Sequence, residues 1–479
     1  MGKDRRQKKT GRAEELLFKI KNGKELTSAE QLQLVLRLSL PAVMAQITSI
    51  IMQYIDASMV GQLGAAKSAA IGLVSTSTWL FGGLCIAAAA GFSVQAAQLI
   101  GAGRDAQARA VLRQAIVATM MFSAALLLVG MAISRPLPGW LGADAEIRED
   151  AVRYFTVYVL SLPFVQLCLL SANMLQCSGN MRTPSILNVM MCALDVVLNS
   201  LLIFPERQGE IFGIAVRIPG ADLGVAGAAL GTALAQGITG ILMCYFLVAR
   251  SSILHLSRGE SWRPEWECIE RAVRIAVPMG LEHALMNGAM IATTRIVAPL
   301  GNISIAANSF AVTAESLCYM PGYGIADAAT TLIGQSLGAG RRELVRRFSR
   351  LTVAIGMAVM AATGAVMFFA APWMLALLTP DPEIQELGVR VLRIEAFAEP
   401  LFAASIVVSG ALRGAGDTLI PSLMNFFSLW FVRLPLAILL SARLGLTGVW
   451  IAMCAELCFR GVIFLIRLYR ERWLRNAAL

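Results

Sequence analysis

Residues 68–103 are SAAIGLVSTSTWLFGGLCIAAAAGFSVQAAQLIGAG, a stretch without a single charged side chain. A helix needs about 20 apolar residues to cross the hydrocarbon core of a bilayer. Working outward from this stretch, we find eleven further apolar runs of that length. The twelve runs begin near residues 36, 68, 114, 154, 183, 224, 270, 305, 350, 387, 418 and 446. This pattern predicts an all-α integral membrane protein with twelve transmembrane helices.

The composition excludes the water-soluble classes. Hydrophobic residues make up 57% of the 479-residue chain, charged residues make up 15%, and the mean hydropathy is +0.66. The net charge is +10, but the basic residues lie between apolar runs rather than along one face, which argues against a nucleic-acid partner. The chain has two histidines, no CxxC pair, and no HExxH, GxSxG or phosphate-binding motif. We therefore expect neither an enzyme nor a bound cofactor.

The distribution of Lys and Arg predicts the orientation. These residues are concentrated in the N-terminal segment, in the connectors after alternate helices, and in the C-terminal tail. By the positive-inside rule, both termini lie in the cytoplasm and the 205–221 loop lies outside. The N-terminal segment lacks the apolar core and cleavage site of a signal peptide. We expect it to be a cytoplasmic tail that ends in a short surface helix.

The sequence repeats itself with an offset of 237 residues. GAGR at 101–104 recurs at 338–341, and later LGVAG at 223–227 matches LGLTG at 444–448 with an offset of 221, because the first half has sixteen extra residues in the preceding loop. Each half has six helices and enters the membrane in the same direction, a parallel repeat typical of two-lobed transporters. The expected organisation is a tail (1–32), an N-lobe (33–249), a cytoplasmic linker (250–269), a C-lobe (270–470) and a C-terminal tail (471–479).

Seven motifs occur in order along these helices: YIDASMVGQLGAAKSAAIGLVS (54–75), AQLIGAGR (97–104), SGNMRTP (178–184), LGVAGAALGTALAQ (223–236), APLGNISIAAN (298–308), TTLIGQSLGAG (330–340) and SGALRGAGDT (409–418). Together they resemble the multidrug and toxic compound extrusion (MATE) family, over residues 33 to 470. The resemblance implies two pseudo-symmetric six-helix bundles and an outward-opening cleft.

The resemblance also implies a function. It is that of a multidrug efflux antiporter, in which H⁺ or Na⁺ enters as an organic, cationic and hydrophobic compound leaves. It further implies a bacterial plasma membrane, a monomer, and membrane lipid as the surroundings. The alternative is a lipid-linked saccharide flippase of the same superfamily. An anionic head group would require several arginines in the cleft, whereas acids outnumber basic residues within these helices.

Acids within the first half are the candidates for cation coupling, because a carboxylate at the bilayer centre costs about 2.5–3.5 kcal/mol on insertion scales. Asp56 occupies the position of the first-helix aspartate that MATE relatives use for coupling; otherwise it is a helix-end charge. Asp195 and Asn199 lie four residues apart on one face of the fifth helix. Relatives often have the asparagine first. Asn173 and Thr232, at positions that are polar in the family, could complete an oxygen-rich cluster.

Asp56 and Asp195 would be the carboxylate ligands of Na⁺, since hard cations prefer oxygen. The alternative for this cluster is a hydrogen-bonded pair of helices without a role in transport.

Acids in the second half are the candidates for substrate binding. Glu282 lies on the seventh helix and Glu399 on the tenth. Some members of the family have acids about one turn further on, where this chain has Met286 or Asn287 on the seventh helix and Phe402 on the tenth. We expect Glu282, Glu399, Glu315 and Met286 to contact substrate, the methionine through its adaptable thioether.

Other charged residues of the second half have structural explanations. Glu315 or Asp327 could instead form an ion pair with Arg295 or Arg433. Glu395, one turn before Glu399, is expected to reach the outer vestibule. Glu456 and Arg460 are spaced for a salt bridge within one helix, and His283 is expected to be a packed core residue.

Overall fold

The computed structural model describes residues 12–211, 214–256 and 259–476. Twelve long helical segments, named spans 1 to 12, follow one another. Spans 1 to 6 are Ser28–Gly61, Ala65–Gly101, Asp105–Ser134, Ala145–Cys177, Arg182–Leu202, and Gly224–Tyr245 continued by the π-helix Phe246–Arg250. Spans 7 to 9 are Trp266–Val297, Asn302–Gly338 and Arg342–Leu378. Span 10 consists of Pro382–Glu395 and Glu399–Gly414, span 11 of Leu419–Phe427, the π-helix Ser428–Arg433 and Leu434–Leu444, and span 12 of Leu446–Arg470. Short helices cover Arg12–Lys21, Leu137–Trp140, Ala298–Leu300 and Arg472–Asn476.

Nine of these spans are long and apolar enough to cross a membrane, judged over the residues that the structure describes. The others are spans 7, 8 and 10. These three contain Glu282, Glu315, Asp327, Glu395 and Glu399. The helices that are least suited to lipid therefore carry most of the candidate acids.

The helices begin up to nine residues earlier than the apolar runs predict, as in span 4, which starts at Ala145 rather than near residue 154. The reason is that polar turns extend each helix beyond the bilayer. Span 8 has 37 residues and so is about 55 Å long at 1.5 Å per residue, against roughly 30 Å of hydrocarbon. Span 1 begins with a capping box, in which Thr27 and Glu30 bond each other's backbone amides. It starts inside the segment expected to be a tail.

A β-hairpin occupies the loop between spans 5 and 6. Its strands, Pro205–Ile211 and Ile214–Ala221, pair antiparallel, with Ile211 opposite Ile214. The apolar pattern predicted only a loop here, because seven or eight residues of mixed polarity carry little periodic signal. The hairpin accounts for the insertion that distinguishes the two halves of the chain.

The repeat is visible in the backbone. Gly64 precedes span 2 with φ of +103° and Gly301 precedes span 8 with φ of +94°. Gly179 and Gly416, which end spans 4 and 10, have φ of +91° and +85°. Side chains rarely adopt these angles, so glycine is needed at both members of each pair. The prediction of twelve helices in two pseudo-symmetric bundles is confirmed.

The two lobes meet closely at the end of the molecule that holds the helices Arg12–Lys21 and Arg472–Asn476. A Cβ atom at Gly338 of span 8 would lie 1.8 Å from the carbonyl oxygen of Gln98, and one at Gly101 of span 2 would lie 2.0 Å from that of Gln335. The Gln335 side chain donates to the carbonyl of Cys177 at 2.7 Å. The GAGR turns of the two halves thus close this end by direct backbone contact.

The helix Arg12–Lys21 lies across the closed end. Lys21 pairs with Asp105 of the N-lobe at 2.7 Å, and Leu17 covers Gly179. Its buried apolar face also belongs to a core cluster that includes Leu337 and Leu344 of the C-lobe. A short helix is present in the N-terminal segment where the sequence predicts one, and it contacts both lobes.

Candidate functional site

Asp56 and Asp195 come together in the N-lobe through one amide. The Asn199 Nδ2 donates to Asp56 Oδ1 at 2.8 Å and to Asp195 Oδ2 at 3.0 Å. Asp56 lies on span 1, whereas Asp195 and Asn199 lie one turn apart on span 5. A single NH₂ group thus joins carboxylates from two helices.

This cluster has unused oxygen atoms. Asp195 and Asn199 are fully buried, and one side-chain oxygen of each has no hydrogen-bond partner. Within the described part of the chain, neither Asp56 nor Asp195 pairs with Lys, Arg or His at 4 Å or less, and no group of three or more His, Cys, Asp and Glu could hold a metal. Two adjacent carboxylates without a positive partner favour uptake of a proton or a cation.

Span 6 closes the N-lobe cluster. Thr232 lies on this span but forms no hydrogen bond to Asp195 in the described structure, so its part in coupling stays a prediction. At the preceding position, a Cβ atom on Gly231 would lie 2.0 Å from Asn199 Oδ1. Sequence reasoning missed Gly231, since only packing reveals what touches a glycine. Asn173 forms no hydrogen bond to these residues in the described structure, so its part in coupling stays a prediction.

Glu282 of span 7 faces span 11. Its two carboxylate oxygens accept hydrogen bonds from Ser422 Oγ and Asn425 Nδ2, each at 2.6 Å. Met286 lies one turn further along span 7 and is half-buried. His283 packs over Gly83 of span 2, where a Cβ atom would meet the ring at 2.8 Å. His283 is therefore a packing residue at the contact between the lobes, as its position predicts.

Three further acids lie inside the C-lobe. Glu315 of span 8 is 5% exposed, whereas Glu395 and Glu399 of span 10 are fully buried. Neither carboxylate of span 10 has a hydrogen-bond partner. The expectation that Glu395 reaches the outer vestibule is therefore wrong, because the rest of the lobe covers it.

Glu456 of span 12 is the acid that has positive partners. It accepts from Arg433 Nη2 at 2.6 Å and from Ser428 Oγ at 2.5 Å, and Arg460 Nε lies at 3.2 Å. Arg433 thus pairs with Glu456 and not with Glu315 or Asp327. Asp327 instead accepts from Gln46 at 3.3 Å. The expected salt bridge between Glu456 and Arg460 is present.

Irregular backbone surrounds the C-lobe acids. Span 10 is interrupted between Glu395 and Glu399, and the π-helix of span 11 begins at Ser428 and ends at Arg433. Breaks within membrane helices free backbone groups and are typical of binding sites in transporters. Glu395 and Glu399 thus flank such a break without partners of their own.

We expect Glu456→Gln to lower the stability of the C-lobe by about 3–5 kcal/mol, since it leaves the buried guanidinium of Arg460 and the partly buried one of Arg433 without a counter-charge. Thermal unfolding in detergent measures this. Glu386→Gln, in an exposed helical pair with Arg390, is the control and should change stability by less than about 1 kcal/mol. Adding Arg460→Gln to Glu456→Gln should recover part of the loss. Equal midpoints for Glu456→Gln and Glu386→Gln would contradict this role.

The profile of the MatE family matches this chain twice, at residues 41–201 and 278–439. The two matches are 237 residues apart, which is the offset of the internal repeat. They cover more than half of the chain and fall on the two lobes separately.

Several known proteins resemble the chain along nearly all of its length. The probable multidrug resistance protein NorM of Thermotoga maritima is 27% identical over 448 residues, 93% of each chain. The multidrug resistance protein MdtK of Yersinia pestis is 24% identical over 456 residues, 92% of this chain and 95% of its own length.

Solved structures have the same fold. A crystal structure of MATE in complex with MaD3S superposes with a TM-score of 0.86 at 21% identity, over 98% of this chain and 99% of that one. A transporter of the MOP superfamily from Pyrococcus furiosus, described as having a binding pocket of reversed polarity, gives 0.86 at 20% identity over 98% and 100%. The chain therefore belongs to the MatE family, and it is a multi-pass membrane transport protein and not an enzyme.

Proposed function

We propose that this chain is a multidrug exporter that couples the outward movement of organic cations to the inward movement of H⁺ or Na⁺. The observation that carries the proposal is the N-lobe cluster, in which Asp56 and Asp195 share the amide of Asn199 and have no positive partner among the residues that the structure describes. A bound proton or cation would remove the unfavourable charge there. If the parted and closed lobes bind it differently, its gradient drives the transport cycle.

The charge of the C-lobe supports a cationic substrate. Glu315, Glu395, Glu399 and Glu456 are buried, and among the described residues the ion pairs of these four acids are those of Glu456 with Arg433 and Arg460. With Glu282 and Met286 on span 7, these acids would favour a hydrophobic cation over an anionic head group. The multidrug resistance names of the NorM and MdtK relatives support drugs as the cargo.

Efflux of a fluorescent organic cation from proteoliposomes tests the proposal. A Na⁺ gradient and a pH gradient are imposed separately, and ionophores that collapse each gradient serve as controls. We expect one of the two gradients to drive efflux above the leak of protein-free vesicles. The proposal is wrong if neither gradient drives flux and the protein instead moves a labelled saccharide lipid between leaflets. That result would identify the chain as a lipid-linked saccharide flippase.

We also propose that the chain works as a monomer in a bacterial plasma membrane, with both termini in the cytoplasm. The excess of Lys and Arg at the closed end supports this orientation, and one chain contains both lobes. A reactive group introduced near residue 219, in the hairpin, should be modified by a membrane-impermeant label added outside intact cells. Reaction only after lysis would reverse the topology.

A further inference from the structure

A groove lies between spans 11 and 12 at the end of the molecule that holds the helices Arg12–Lys21 and Arg472–Asn476. It encloses about 240 Å³. Its lining consists of Met424, Ile463, Ile466, Arg467, Arg470 and Arg472. The groove therefore combines an apolar floor with three guanidinium groups near the expected membrane surface.

The charges around the groove are not balanced. Arg467 pairs with Asp417, but its Nε is buried without a hydrogen-bond partner. Arg470 and Arg472 form no ion pair among the described residues, and both are exposed. The one acid between them, Glu471, turns to span 9, where it pairs with Arg346 at 2.9 Å. The groove thus has an excess of positive charge and spare donors.

The N-lobe does not carry these three arginines at the corresponding positions. With the offset of 221 that relates the last spans of the two halves, Arg467 corresponds to Phe246, Arg470 to Ala249, and Arg472 to Ser251. The arginines are therefore not required by the shared six-helix scaffold. This difference indicates a feature that is specific to the C-lobe.

We propose that this groove binds the head group of an anionic phospholipid. Guanidinium groups pair with phosphate through two parallel hydrogen bonds, and basic pockets between membrane helices near the cytoplasmic surface bind anionic head groups. The apolar floor argues for a lipid rather than a free phosphate, since acyl chains can continue from it. Ile466 is 46% exposed and Leu423 is 51% exposed, and they extend an apolar surface toward the bilayer.

The test uses the full chain purified in a nonionic detergent. Binding of short-chain phosphatidylglycerol is compared with that of phosphatidylcholine and of glycerol phosphate, each followed by the shift of the thermal midpoint with ligand concentration. We expect saturable binding of phosphatidylglycerol at least about tenfold tighter than that of phosphatidylcholine, because each arginine near the surface adds to the attraction for an anionic head group. Glycerol phosphate should not compete. Equal competition by glycerol phosphate would overturn the lipid assignment.

The double variant Arg470→Gln, Arg472→Gln should lose this preference for phosphatidylglycerol while keeping its unliganded midpoint. The matched control is Arg271→Gln, Arg274→Gln, at the same end of the molecule, where both arginines pair with acids of their own helix. The control should keep the preference. If the groove variant keeps it, or if both variants lose it equally, the binding belongs to the general surface charge and the proposed site is wrong.

Discussion

Asp56→Asn is expected to reduce gradient-driven efflux to the leak of protein-free vesicles. The substitution is nearly isosteric, so the Asn199 amide keeps a neighbouring oxygen at 2.8 Å. It removes, however, the charge that a proton or cation would neutralise. A ligand shifts a conformational equilibrium only by its differential affinity for the two states. Without that affinity the gradient can no longer favour one arrangement of the lobes.

A charge-matched control is available on the N-lobe. Asp144 lies just before span 4, and its side chain makes no capping bond. Asp144→Asn removes the same charge away from the cluster and should leave efflux unchanged. Folding is checked by the thermal midpoint and by elution as a single species. Undiminished gradient-driven efflux in Asp56→Asn would show that Asp56 is not needed for coupling and would assign that role to the C-lobe acids.

Gly338→Ala should move the molecule out of the conformation in which the GAGR turns touch. The added Cβ would lie 1.8 Å from the Gln98 carbonyl oxygen, which is backbone and has little freedom to move. That conflict disappears when the lobes part, so the parted state gains population. Alanine also favours helix over glycine by about 1 kcal/mol, so the helix itself should not weaken. Hydrogen exchange at residues 98–104 and 335–341 is expected to rise about tenfold.

The control for this variant is Gly237→Ala in span 6, where the nearest atom, a ring carbon of Phe164, lies 3.7 Å from the new Cβ. Ordinary van der Waals contact at that distance should leave exchange unchanged. Transport by Gly338→Ala should fall as well, because one half of the cycle becomes difficult to reach. Unaltered exchange at both turns would show that the closed end is not a close-packed contact.

Apolar runs and the repeat predict most of this fold, because twelve long helices must each present about 20 apolar residues to lipid. The candidate site is predicted only where spacing along one helix suffices, as for Asp195 and Asn199. The meeting of Asp56 with them followed from the family resemblance, since separate helices are involved.

The features that the sequence did not predict depend mainly on contacts between helices. Gly231 could not be identified because its role is the space that it leaves for Asn199. The burial of Glu395 depends on packing within the C-lobe. The interruption of span 10 at residues 396–398 does have a signal in the sequence, since Pro400 begins the following helix and a proline disfavours a continuous helix across that turn. The hairpin was missed because its strands are short.

The helix Arg12–Lys21 packs against both lobes at the closed end. Whenever that end opens, the helix must detach from one lobe and travel with the other, so the energy of its contacts becomes part of the barrier to each turnover. Whatever is fused ahead of it is then attached to a moving part. An affinity tag at the amino terminus would thus alter the speed of the transporter without touching any residue that binds cargo or ion.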